Sequence, residues 1–232
     1  MVRILAIADE VVESLWGDRV RALAPDLVIA AGDLPWDYLE FMTSQLDVPL
    51  VFVPGNHDPE LSKAKPHRSG LFLDAGLPAA APRPQGGLNA DETVMDVVGL
   101  RIAGLGGCVR YRPGPHQYTQ SEHARRGRRM MRAVRRAQRR SPGDVDILVT
   151  HAPPRGLGDD DDRPHEGIEA LHAILEELQP RLHLHGHIHP HGRTMADRTL
   201  GRTLIRNVIP YRVIDLPAPA DRNPTASGLR DA

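Results

Sequence analysis

Three short apolar runs, residues 2–8, 27–31 and 50–53, constrain this chain more than any other feature. Each has the length of a strand and, Arg3 aside, is apolar throughout rather than alternating. A strand with one wet face alternates, whereas one with both faces covered has no polar positions, so these runs read as buried parallel strands. The stretches between them carry apolar residues at helical spacing. Leu15, Trp16, Val20 and Leu23 predict a helix over 12–24 that stops before Pro25, and a second is predicted over 36–46. The β-α-β-α-β order implies a parallel sheet with helices packed against it.

Ligands of such sheets bind beyond the carboxyl ends of the strands. Asp9, Asp33 and the pair Asn56-His57 stand there, each just after one of the three runs. Singly, such an acid is more often a turn or helix-cap residue. Three strand ends bearing polar groups in register point instead to a site.

The second half repeats the pattern. Residues 93–98 and 100–103 around Gly99 predict a hairpin, with a flexible bend over 104–107, and could begin a second sheet. Residues 145–149 form another apolar strand that closes on Thr150-His151. A helix is expected over 167–178. A strand at 181–184 then runs into alternate histidines, His183, His185, His187, His189 and His191, with Gly186 breaking the run. Imidazole is the commonest side-chain ligand for transition metals. Residues 203–208 and 211–214 read as closing strands. Together Asp9, Asp33, Asn56, His57, His151, His187 and His189 mix carboxylate, amide and imidazole, a set suited to Mn, Fe or Zn.

Gly32-Asp33, Gly55-Asn56-His57-Asp58, Thr150-His151 and Gly186-His187-Ile188-His189, in this order and each after a strand, resemble the calcineurin-like metallophosphoesterases. The likeness spans about residues 1–210, and the runs at 104–119 and 150–154 resemble a bacterial branch. The resemblance implies an α/β fold, a four-layer α-β-β-α sandwich of two mixed sheets flanked by helices, over 1–216; residues 217–232, rich in Pro, Ala and Asp, read as a disordered tail. It implies a phosphoesterase that cleaves a small phosphomonoester or phosphodiester through two divalent metal ions, manganese foremost and iron or zinc as alternatives. Asp33 would bridge the ions. Asn56, His151 and His187 would complete one site, and Asp9 and His189 would belong to the other. His57 would not bind metal but would stabilise charge or protonate the leaving oxygen. Asp58 would orient it.

The family opens with Asp-x-His, and here the chain reads Asp9-Glu10-Val11. Val11 cannot coordinate, and Glu10 would point to the other face if the backbone stayed extended. The first metal site is therefore weakened. The alternative reading is a non-catalytic metal-binding or protein-binding scaffold on the same fold; the presence of Asn56 and His57 argues against it.

Other features bound the answer. One cysteine, Cys108, excludes an internal disulfide and fits a reducing compartment, as filler of a small core space. The apolar start turns acidic too soon for a secretory signal, and no run approaches the ~20 apolar residues of a membrane span. A cytoplasmic protein without a membrane partner is expected. Thr119 and Glu122 match a capping box ahead of a helix to residue 140 with nine arginines, docking through Met130, Met131, Val134 and Ala137. Its arginines read as a solvated face, so nucleic acid ranks low as a partner, and the net charge of −1 adds no pull toward it. The run of four aspartates at 159–162 is expected to be exposed and mobile, and His165 reads as a surface histidine, with a place at the pocket as the alternative.

Overall fold

The computed structural model describes residues 1–60, 84–193 and 195–217, with the backbone of 72–74 and 77–79. Most of residues 61–83, rich in Pro and Ala and read as a long connection, and residues 218–232 of the expected tail lie outside the described residues. In chain order the elements are β1 (Val2–Ile7), α1 (Arg19–Ala22), β2 (Leu27–Ala30), α2 (Trp36–Leu46), β3 (Leu50–Phe52), β4 (Phe72–Asp74), β5 (Leu77–Ala79) and β6 (Gly87–Asn89). They continue with β7 (Val94–Val97), β8 (Leu100–Leu105), β9 (Cys108–Val109), β10 (Gln117–Tyr118), α3 (Gln120–Arg140), β11 (Ile147–Thr150) and α4 (Ala170–Leu178). The last elements are β12 (Leu182–His185), β13 (Arg198–Leu200), β14 (Thr203–Asn207) and β15 (Tyr211–Leu216).

Two mixed sheets face each other. The first has the order β15-β1-β2-β3-β6, parallel except for β15, which pairs antiparallel with β1. The second has the order β13-β14-β12-β11-β8-β7, with antiparallel strands at both edges. The two expected closing strands thus part company: β14 joins the second sheet and β15 the first.

The apolar runs are continuous because successive side chains serve two cores. In β1, Ile4, Ala6 and the following Ala8 point between the sheets, where they meet Ile29, Val51, Ile102, Ile147 and Leu184. Leu5 and Ile7 point the other way, onto Leu15, Val20, Tyr38 and Met42 beneath α1 and α2. On the far side of the second sheet, Leu105 and Leu148 meet Met130, Val134, Leu171 and Leu175 of α3 and α4. The result is helix, sheet, sheet, helix, in four layers.

The single helix expected over 12–24 is broken. A 3-10 turn at Glu13–Leu15 and the short α1 flank Trp16, Gly17 and Asp18. Leu15 and Val20 keep their core places, while Trp16 is half-exposed and packs on Tyr38 and Phe41 at 5.0 and 5.7 Å between ring centres. Glycine lowers helix propensity enough for this packing to divide the segment. The bend expected over 104–107 is also shorter, since Gly104 and Leu105 belong to β8. Among the described residues no helix is long and apolar enough to cross a membrane.

Candidate metal centre

The carboxyl ends of β1, β2 and β3 in one sheet meet those of β11 and β12 in the other. The backbone there is reversed sharply. Asp9, Asp33 and His187 all have positive φ, at 60°, 56° and 67°. The Glu10 amide bonds the Ala8 carbonyl at 2.6 Å, and the Ile188 amide bonds the Gly186 carbonyl at 2.8 Å, so Asp9 and His187 sit at the centres of γ-turns. Non-glycine residues in this region cost about 1–3 kcal/mol each and persist where surrounding structure holds them. Here close packing does so. A Cβ on Gly55 would lie 2.0 Å from Asp33 Oδ1, and one on Gly186 would lie 2.2 Å from Asp9 Oδ2. Both motif glycines are therefore places where a carboxylate leans against bare backbone.

Asp33, His151 and His187 bring one ligand atom each within 4.8 Å of one another. His151 is buried; its Nδ1 lies 2.8 Å from the Ala31 carbonyl, to which it donates. That leaves Nε2 facing Asn56 Oδ1 at 3.0 Å and Asp33 Oδ2 at 3.3 Å. The Asn56 amide is oriented from behind, donating to the Tyr111 hydroxyl at 3.3 Å. His187 Nε2 lies 2.9 Å from the Pro164 carbonyl, which fixes the ring proton there and leaves the Nδ1 lone pair for a ligand. Asp9 accepts from the His187 amide at 3.0 Å, and its Oδ1 lies 3.8 Å from His189 Nε2.

The charges are strained as well. Burial, with Asp33 close by, pushes the Asp9 carboxyl up to about 6, although His151 pulls against it. Burial would also raise Asp33, but the charge and hydrogen bond of His151 and the His57 amide outweigh it and hold Asp33 below the usual range. Burial disfavours charge on His151, yet Asp33 and Asp9 together raise it well above an ordinary histidine. His187 is pushed down to about 3 by burial and by His151, so it stays neutral. Two buried carboxylates thus share the positive charge of one imidazole. A divalent cation suits this donor set better than that proton does: it would offset both carboxylates and free His151 Nε2 as a ligand. By this criterion Asp33, Asn56, His151 and His187, with Asp9 and His189 beside them, fit a metal.

Four expectations need correction. Glu10 does not point to the far face; the γ-turn at Asp9 swings it back, and Glu10 Oε1 lies 2.9 Å from His189 Nδ1. Asp58 does not serve His57: its Oδ2 accepts from the Gly55 and Asp33 amides at 2.7 and 3.1 Å, holding the two metal-site loops together. The aspartate run is tied down at its start, where Asp159 accepts from the Gly156 and Gly167 amides at 2.7 and 3.0 Å. Asp162 caps the 3-10 turn Arg163–His165, which carries the Pro164 carbonyl to His187. His165 is not a detached surface residue; its ring packs 5.5 Å from that of His187 and bonds Asp162 at 2.7 Å. His57 itself is exposed, while its amide donates to Asp33 Oδ1 at 2.7 Å. Beside it opens a cleft of about 520 Å³ lined by Asp33, Leu34, Pro35, Trp36, His57 and Pro59.

Sequence reading alone missed Tyr111 and Pro164 and left the direction of Glu10 open. A carbonyl oxygen leaves no signature in residue type, and Tyr111 arrives from a loop 55 residues away from Asn56. Glu10 was visible, but its direction hung on one dihedral angle.

A sequence model of the calcineurin-like phosphoesterases matches residues 3–191. Metallophosphoesterase domain-containing protein 1 of Homo sapiens is 39% identical over 88 residues, as is the Mus musculus protein. That match covers 34% of this chain and 27% of the length of each relative. Among solved structures, TT1561 of Thermus thermophilus superposes with a TM-score of 0.57 at 18% identity, over 88% of this chain and 87% of that one. Another superposes with a TM-score of 0.58 at 15% identity over 88% of both chains. The likeness to these two structures is one of fold.

Proposed function

Since the chain belongs to the calcineurin-like phosphoesterase family, we propose that it hydrolyses a small phosphomonoester or phosphodiester at a dinuclear metal centre. The observation that carries this reading is the convergence of Asp33 Oδ2, Asn56 Oδ1 and His151 Nε2 at strand ends from both sheets. Asp33, Asn56, His151 and His187 would hold one ion, and Asp9, Asp33 and His189 the other. Manganese suits the mixture of oxygen and imidazole donors, with iron and zinc as alternatives. Bound divalent ions supply charge for the phosphoryl oxygens and lower the pKa of a water enough for it to attack at neutral pH.

The chain's own groups do the rest. Asp33 is fixed from both sides, by the His57 amide on its side chain and by Asp58 on its backbone. Pro164 and Ala31 fix one ring nitrogen each of His187 and His151, Nε2 and Nδ1, so that the opposite nitrogen of each is the one that would serve as ligand. His57 borders the cleft with its side chain exposed, where it can give a proton to the leaving oxygen. The cleft wall of Leu34, Pro35, Trp36 and Pro59 can exclude water from the ester's organic part.

Metal analysis of the purified chain, with hydrolysis of p-nitrophenyl phosphate and bis(p-nitrophenyl) phosphate, tests the proposal. Manganese-dependent release of nitrophenol from either ester is expected, and the ratio of the two rates assigns monoester or diester. Bound metal without turnover of either would favour a scaffold.

A further inference from the structure

Val11 stands at a ligand position that it cannot fill, and Glu10 beside it is the residue that the turn at Asp9 delivers to the site. Glu10 Oε1 lies 2.9 Å from His189 Nδ1, and the opposite nitrogen of the same ring, Nε2, lies 3.8 Å from Asp9 Oδ1. We propose that Glu10 is the positioning residue of the outer metal position: it keeps the His189 proton on Nδ1, so that the Nε2 lone pair faces the space shared with Asp9. The chain thereby compensates for the missing ligand at position 11 by fixing one that it has. The inference rests on the reading of these strand ends as a dinuclear centre.

The physical case has two parts. A ligating histidine works best when a carboxylate or carbonyl holds its other nitrogen, which sets the tautomer and raises the basicity of the ligating atom. At the inner position both histidines have such a partner, Ala31 for His151 and Pro164 for His187. Glu10 gives His189 the same arrangement with a charged acceptor, the stronger kind. The second part concerns stability. The side chains of His189 and Glu10 are 38% and 46% exposed. A solvent-exposed pair adds at most about 1 kcal/mol to folding. The contact therefore matters little for the fold, and its removal can be read at the metal.

The test is calorimetric titration of manganese into the metal-stripped full chain, comparing wild type with Glu10→Gln, Glu10→Ala and, as the reference, His189→Ala. The first equivalent should bind all the Glu10 variants within about twofold of wild type. The second should weaken by about 10–100-fold in Glu10→Ala, and by less in Glu10→Gln, which keeps an acceptor oxygen without its charge. The loss of spin coupling between two bound manganese ions should follow the same order, and thermal unfolding of the stripped variants should stay at the wild-type midpoint. If Glu10→Ala binds both equivalents like wild type while His189→Ala loses the second, the positioning role is overturned and the metal centre stands. Equal weakening of both equivalents also overturns it. If wild type takes up no second equivalent, the dinuclear reading itself fails.

Discussion

The proposed ligand residues are held by backbone as much as by side chains, and this decides what single substitutions do. His57 contributes to the site twice: its amide fixes Asp33, and its imidazole borders the cleft. His57→Ala keeps the first and removes the second. Turnover should fall by about 10²–10⁴-fold with metal content unchanged, as expected for loss of a proton donor; stoichiometric metal analysis beside initial rates checks it. If the variant loses its metal, His57 is a ligand and the assignment is wrong. Gly186→Ala should do the reverse. Its Cβ would collide with Asp9 Oδ2 and lie 2.7 Å from the buried Ala8 Cβ, so the second metal equivalent should be lost in metal analysis, with a lowered Tm of the stripped protein. At this scale the sequence was informative about residue types and silent about direction. Asp33, Asn56, His151 and His187 could be placed because each follows a strand. The reversal at Asp9, which sends Glu10 toward His189, depends on a φ of 60° that no residue pattern announces.

Helix α3 divides its arginines into one that is buried and eight that are exposed. Arg126 donates to Glu92 Oε1, the Gly106 carbonyl and Asp91, each at 2.7 Å, and its guanidinium lies 3.8 Å from the Tyr118 ring centre. The sequence shows the cap at Thr119 and the docking stripe of Met130, Met131 and Val134, and both are present. It does not show the burial of Arg126, because a strip of arginines looks uniform until Asp91 and Glu92 are folded beneath it. Arg126→Ala should destabilise by about 3–5 kcal/mol in urea unfolding, since it strips Asp91 of its cation and leaves Glu92 with Arg129 alone. Arg128, Arg132 and Arg136 replaced together by Gln should leave turnover of a small ester within a fewfold, because these side chains face water away from the cleft. The same helix carries a pH response. Burial pushes His123 down to about 4 against its bond to the Cys108 carbonyl, with Arg126 adding to the fall. The unfolded chain takes up that proton near pH 6.5, so the stabilisation is complete above 6.5 and is lost as the pH falls toward 4. His123→Gln lacks the slope. Between about pH 6.5 and 5 wild type should lose about 1.5 kcal/mol relative to the variant, for the uptake of one proton on unfolding. Parallel curves would mean that His123 is not buried neutral.

The molecule places its chemistry on the seam between two sheets. The seam itself could be anticipated in part: apolar strands ending in polar residues, in both halves of the chain, allowed a second sheet, and the resemblance to the calcineurin-like phosphoesterases implied it. What could not be anticipated is how many of the strand-end residues are strained. Asp9, Asp33 and His187 combine positive φ with crowded or mutually repelling charge, and they come from both sheets. A metal held among them would offset the repulsion and tie β1 and β2 to β12. Ligand binding to the folded state alone stabilises by about 2.7 kcal/mol at a hundredfold excess over Kd. For a domain of this size that corresponds to roughly 5–10 °C in Tm. Manganese added to the stripped protein should therefore raise Tm by that amount, and amide exchange should slow at residues 8–10, 31–34 and 186–189 in both sheets together. Asp33→Asn should abolish the rise, because Asp33 would belong to both proposed ligand sets. Asp9→Asn should keep the part that comes from the inner ion. Protection confined to one sheet, or a Tm that does not respond to metal, would show that the ion does not bridge the seam.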